Sequence, residues 1–81
     1  MIYHVQLFAR ARDLAETSVA TVDLPADSTV RDLKEQLQRR FPSLEGLLSR
    51  CTVAVNDDYA TDDLPLPADA TLALIPPVSG G

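Results

Sequence analysis

Thr29-Val30-Arg31-Asp32-Leu33-Lys34-Glu35-Gln36-Leu37-Gln38-Arg39-Arg40-Phe41-Pro42 is the stretch that decides the fold. Val30, Leu33, Leu37 and Phe41 recur at helical spacing and define one apolar stripe. Thr29 suits an N-cap, because its hydroxyl can accept from an orphan N–H of the first turn. Asp32 sits at the third helical position, where a carboxylate complements the positive end of the helix dipole. Arg39 and Arg40 fall in the last turn and Pro42 ends the run. The spacing predicts one long helix with a single face to bury.

Strand patterns flank it on both sides. Ile2 to Phe8 alternates: Tyr3, Val5 and Leu7 share one face, His4 and Gln6 the other. Ala9 to Ala15 reads as a short helical turn or loop, with Arg10, Arg12, Asp13 and Glu16 on a solvated face. Val19 to Leu24 is a second strand, stopped by Pro25. After the helix, Ser43 to Ser49 reads as one more helical turn with Leu44, Leu47 and Leu48 inward. Thr52 to Val55 is a third strand, Asn56-Asp57-Asp58 a turn, and Tyr59 to Thr61 a short fourth strand. Pro65 and Pro67 keep the next stretch irregular. Thr71 to Ile75 is the last strand, with Leu72 and Leu74 on one face, and Pro76-Pro77 breaks it. Strands, one long helix and more strands indicate an α+β domain with the helix across one face of a mixed sheet. A ubiquitin-like β-grasp is the simplest topology, with first and last strands parallel neighbours. Residues 1–75 are assigned to this domain and 76–81 to an extended C-terminal tail.

The bulk composition narrows the function classes. The 81 residues fit one domain with one core. Seven basic residues face twelve acidic ones, a net charge of −5. Phosphate recognition needs clustered Lys and Arg, so no nucleic-acid partner and no anionic membrane is expected. The acidity fits a partner with a basic docking surface, and equally fits plain solubility. The single cysteine, Cys51, excludes an internal disulfide and suits a reducing compartment. Nothing near Met1 resembles a signal peptide and no apolar run reaches membrane-spanning length, so the expected location is the cytosol.

Catalytic signatures are absent from the pattern. Cys51 has no nearby Cys or His in sequence for a metal site, and it opens a strand, as a small buried residue would. His4, the one histidine, falls on the outward face of a strand. No phosphate-binding glycine motif is present.

Glycine carries the signal. There are three, Gly46, Gly80 and Gly81, whereas an average content of about 7% would give roughly twice as many. Two of them close the sequence after a stiff Pro76-Pro77. A Gly-Gly segment has no side chains, so it can thread a narrow channel and present a carboxylate to another protein's site. Six residues from Pro76 to Gly81 reach on the order of 20 Å when extended. A frayed tail is the alternative reading of Gly-Gly alone.

The wider tail adds a resemblance. Leu74-Ile75-Pro76-Pro77-Val78-Ser79-Gly80-Gly81 closely resembles the C-terminus of the molybdopterin synthase small-subunit family, an apolar pair followed by Pro-Pro-Val-Ser/Thr-Gly-Gly. Leu7-Phe8-Ala9-Arg10-Ala11-Arg12-Asp13-Leu14 and Val53-Ala54-Val55-Asn56 are also similar to it. Two turns depart from the family: Ala15-Glu16 and Pro67-Ala68-Asp69-Ala70 stand where many members carry glycine.

The resemblance implies a β-grasp sulfur carrier, a non-catalytic subunit of a sulfurtransferase complex with no active site of its own. It implies that Gly81 is adenylated by an E1-like adenylyltransferase, with AMP as a transient acyl adenylate and no permanent cofactor or metal. Gly81 then becomes a thiocarboxylate, with a sulfurtransferase as sulfur source. The large catalytic subunit, in a heterotetramer of two small and two large chains, would use that sulfur for the molybdopterin dithiolene of the molybdenum cofactor. Pro76, Pro77, Val78, Ser79 and Gly80 are expected to enter the partner, and Phe8, Arg12, Tyr59 and Ile75 to contact it. Pattern agrees for three of these: alternation turns Phe8 and Ile75 away from the core on neighbouring strands, with Tyr59 bordering them. The competing readings are a thiamin-pathway sulfur carrier, whose tail usually lacks Pro-Pro-Val, and a ubiquitin-like protein modifier. One lysine, Lys34, leaves a modifier a single site for self-linked chains.

Overall fold

The computed structural model describes residues 1–77. The elements run β1 (Ile2–Leu7), α1 (Ala9–Ala15), β2 (Val19–Asp23), α2 (Val30–Arg40), β3 (Thr52–Val55), β4 (Asp58–Ala60) and β5 (Leu72–Ile75), with 3₁₀ turns at Pro42–Leu44 and Leu48–Arg50. The five strands form one sheet in the order β2-β1-β5-β3-β4. β1 and β5 are parallel at its centre and the other pairs are antiparallel. This is the β-grasp arrangement expected from the strand pattern.

α2 begins where the sequence places it. Asp32 N–H donates to the Thr29 hydroxyl and Thr29 N–H to the Asp32 carboxylate, which makes a reciprocal capping box. Val30, Leu33 and Leu37 are fully buried against the inward strand residues Tyr3, Val5, Leu7, Val22, Val53, Leu72 and Leu74. Hydrogen bonds from residues distant in sequence add a clasp. Val30 N–H donates to the Leu64 carbonyl and Arg31 N–H to that of Asp62, so segment 61–64 satisfies donors that a helix start leaves open. Lys34–Asp62 and Arg31–Asp63 ion pairs, at 2.9 and 2.8 Å, lie over the same contact.

The helical reading of 9–15 holds, and several other local expectations are corrected. The stretch 9–15 is a seven-residue helix, ended by Glu16 in the left-handed region at φ 59°. Residues 43–49 do not form one helical turn: Pro42 starts a 3₁₀ turn, and Gly46 at φ 85° interrupts before a second. All three of its leucines are nevertheless buried. β4 starts at Asp58 rather than Tyr59, because Asn56 and Asp57 alone take positive φ, 51° and 72°. That is the two-residue primed turn that matches strand twist. β1, β2 and β5 are each one residue shorter than read: β1 ends at Leu7, β2 ends at Asp23 and β5 starts at Leu72.

Candidate functional site: the outer sheet face at the root of the tail

One face of the sheet packs on α2; the other is open. The parallel register puts Gln6 beside Ala73 and Leu7 beside Leu74. Since Leu7 and Leu74 are buried, their successors Phe8 and Ile75 turn to the open face. Ala73 pairs in turn with Ala54, and Ala54 with Tyr59. The result is a shallow groove of about 290 Å³ whose wall includes Phe8, Ile75, Ala73, Ala54 and Tyr59. Small alanines at its centre leave the depression, and the larger side chains form its sides.

The apolar walls are solvent-facing. Phe8 is 44% exposed and Tyr59 76%; Ile75 and Pro76 are half-buried, and Pro77 is exposed. Phe8 precedes the first residue of α1, and its carbonyl accepts from the N–H groups of Ala11 and Arg12 at 3.1 and 3.4 Å. Its backbone is therefore held while its ring stays free to meet a partner. Clustered exposed apolar side chains of this kind mark an interaction surface.

The structure brings together three of the four expected contact residues, Phe8, Tyr59 and Ile75. Arg12 is exposed on α1 but does not line the groove. Pro76 and Pro77 leave the end of β5 beside Phe8's strand, without regular structure. Val78, Ser79, Gly80 and Gly81 lie outside the described residues. Sequence reasoning missed Gln6, Ala54, Asp57, Thr71 and Ala73 as groove residues. Period-two alternation flags the outward ones, but only strand order shows that β3 and β4 supply the far wall.

The remaining candidates fall away from this site. His4 is exposed and its Nδ1 sits 3.1 Å from the Thr21 hydroxyl. Cys51 is a buried free thiol. Burial pushes its ionisation up, against weaker opposing pulls from Lys34 and Arg50. A thiol held neutral is a poor nucleophile. Among the described residues no group of three or more His, Cys, Asp or Glu is placed to hold a metal. No helix among them is long and apolar enough to cross a membrane.

Residues 5–81 match the model of the ThiS family. The chain belongs to the ThiS family. A relative in Arabidopsis thaliana named molybdopterin synthase sulfur carrier subunit is 42% identical over 95% of this chain and 80% of its own length. SAMP1 of Haloferax volcanii, a small archaeal modifier protein, superposes with a TM-score of 0.88 at 31% identity over the whole of both chains. A chain in the complex of subunits 1 and 2 of molybdopterin-converting factor from Helicobacter pylori shares the fold, with a TM-score of 0.70 at 24% identity and full coverage of both. Within this ThiS-family chain the groove stands directly at the base of the segment that carries Gly80 and Gly81.

Proposed function

We propose that the chain is the sulfur carrier subunit of a molybdopterin synthase. The observation that carries the reading is positional. An exposed apolar groove, bounded by Phe8, Tyr59 and Ile75, lies at the point where the chain leaves β5 toward Gly81. A partner gripping that groove receives the tail in a fixed direction. The name borne by the Arabidopsis relative supports the same assignment.

The chemistry sits on Gly81. A carboxylate is a poor electrophile. Its oxygen attacks the α-phosphate of ATP, pyrophosphate leaves, and the acyl adenylate forms in the E1-like enzyme. Sulfur delivered by a sulfurtransferase at the hydrosulfide level then attacks the acyl carbon, the acyl–phosphate bond breaks, AMP leaves, and Gly81 carries a thiocarboxylate. The large catalytic subunit takes that sulfur for the dithiolene, in a heterotetramer of two small and two large chains. The carrier supplies no acid, base or metal to these steps. Its part is to dock, to aim the tail and to exclude side-chain bulk at Gly80 and Gly81. A neutral, buried Cys51 accords with a cytosolic setting and keeps the fold free of competing thiol chemistry.

A second reading has a specific support, the 31% identity to SAMP1 over the full chain. In it Gly81 is joined to lysines of other proteins. Intact-mass measurement of the protein from its own cells separates the two. Exchange of one oxygen for sulfur supports the carrier; addition of a whole protein supports the modifier. Deleting Gly81, or adding one residue beyond it, is expected to abolish sulfur transfer with folding unchanged. Full activity of an extended, unprocessed chain in a purified synthase assay would sink the carrier reading.

A further inference from the structure

The groove does not stop at Asp57. A second depression on the same sheet face, lined by Ile2, His4, Val19 and Asp69 among others, shares Gln6 and Thr71 with it. The two form one trough across the outer face, and neither is lined by a lysine or arginine. The basic residues lie elsewhere: Arg31, Lys34, Arg39 and Arg40 on α2, Arg50 in the second 3₁₀ turn, Arg10 and Arg12 on α1.

The trough also has unlike ends. Phe8 and Ile75 stand at the tail root, where β5 finishes, with Arg12 one turn further along α1. Asp57 and Asp69 stand at the other end, where β5 begins. They flank the clasp in which Asn56 N–H donates to the Thr71 carbonyl at 2.8 Å and Thr71 N–H donates to Asn56 Oδ1 at 2.9 Å. Both are exposed, and among the described residues neither forms an ion pair. Four residues of extended chain, about 13 Å, separate Thr71 from Ile75.

We infer that this trough fixes the orientation of the docked partner, and that the partner surface it fits carries an apolar knob for the Phe8–Ile75 end and Lys or Arg side chains about 13 Å away for Asp57 and Asp69. The inference rests on the carrier reading and adds to it the charge of the partner and the end that reads it. Charge complementarity selects register: a partner turned end for end would set its cations against the apolar Phe8–Ile75 end and leave Asp57 and Asp69 unmatched. The apolar end anchors, and the acidic end aligns, so the tail enters its channel from one direction only.

The test is calorimetric titration and stopped-flow association of the full-length chain with the purified large catalytic subunit, at low and at moderate salt. The variant is Asp57→Asn with Asp69→Asn. Asparagine keeps the size of the side chain and tolerates the left-handed backbone at both positions, φ 72° and 58°. The control is Asp27→Asn with Glu45→Gln, exposed residues that line neither depression, with the same change in net charge. The expected result is a loss of affinity of about 3- to 30-fold at low salt in the groove variant, mostly in the association rate, with a flatter salt dependence. The control should match the unaltered chain. Equal behaviour of groove variant and control overturns the inference, while weakened binding by Phe8→Ala in the same experiment leaves the carrier reading standing. Failure of the unaltered chain to bind the large subunit at all overturns both.

Discussion

Phe8 and Ile75 flank the exit of the tail, each one residue beyond the buried Leu7–Leu74 pair that ends the parallel ladder of β1 and β5. Adjacent residues on the same two strands thus divide the work. Leu7 and Leu74 hold the strands to the core, and Phe8 and Ile75 face outward beside the tail. A pair of substitutions on each side separates the roles. Phe8→Ala and Ile75→Ala are expected to weaken binding to the large subunit by about 1–4 kcal/mol each, the range of an interface anchor. Leu7→Ala and Leu74→Ala should instead lower stability by about 2–5 kcal/mol, through cavities in a closed core. Thermal melts beside calorimetric titration check both. Unchanged affinity in the two outward variants would remove the groove from the docking model.

Glu16 and Asp69 stand in the left-handed region, at φ 59° and 58°, in the two turns where the family resemblance implied glycine. A side chain raises the energy of that backbone by about 1–2 kcal/mol, which glycine avoids while losing about 0.5–1 kcal/mol in chain entropy. Glu16→Gly is therefore expected to raise stability by up to about 1 kcal/mol, read as a higher Tm. Asp69→Gly should gain less, because aspartate tolerates this backbone better than glutamate, and yet weaken partner binding at low salt, because it removes a carboxylate from the trough. A fall in Tm in both variants would contradict the strain assigned to these turns.

Much of this was legible in the sequence, for identifiable reasons. α2 carries its own start and stop signals in Thr29, Asp32 and Pro42, and they act locally. Period-two alternation showed which side of β1 and β5 faces out, and so placed Phe8 and Ile75. Long-range pairing left no such mark. That Ala54 joins the same groove, between Ala73 and the expected Tyr59, follows from β3 lying between β5 and β4, which no window of residues displays. The start of β4 was misplaced because positive φ at Asn56 and Asp57 is a property of the closed hairpin. Arg12 is similar to the family's segment, but its side chain lies on α1 outside the groove lining.

Cys51 gives a prediction with a sign. Burial favours its neutral thiol, so its ionisation in the fold lies above that of the unfolded chain. Stability from this source is complete below the unfolded value and is lost as pH rises toward the folded one. The expected outcome is slow alkylation of Cys51 in the native protein at neutral pH, and a fold that weakens under alkaline conditions. Cys51→Ala should flatten that alkaline loss. Rapid alkylation at neutral pH without unfolding would contradict the placement of the thiol in the core.

Gly80 tests the tail apart from the body. It lies three residues past Pro77, outside the described residues, so its argument is chemical. A channel that admits a bare backbone rejects a Cβ, and glycine also reaches backbone angles closed to other residues. Gly80→Ala changes a position that follows Leu74, the last residue of the described core in sequence. It is therefore expected to leave Tm and groove-mediated binding to the large subunit nearly unchanged, while slowing adenylation or sulfur transfer by an order of magnitude or more, as small misplacements at a reacting centre do. Thermal melts, titration and single-turnover transfer on the same preparation read the three quantities. A variant that loses transfer and melting temperature together would give Gly80 a structural role. One that transfers at the unaltered rate would show that the partner's channel is wide enough for a side chain, and specificity would then rest on the groove and on Gly81 alone.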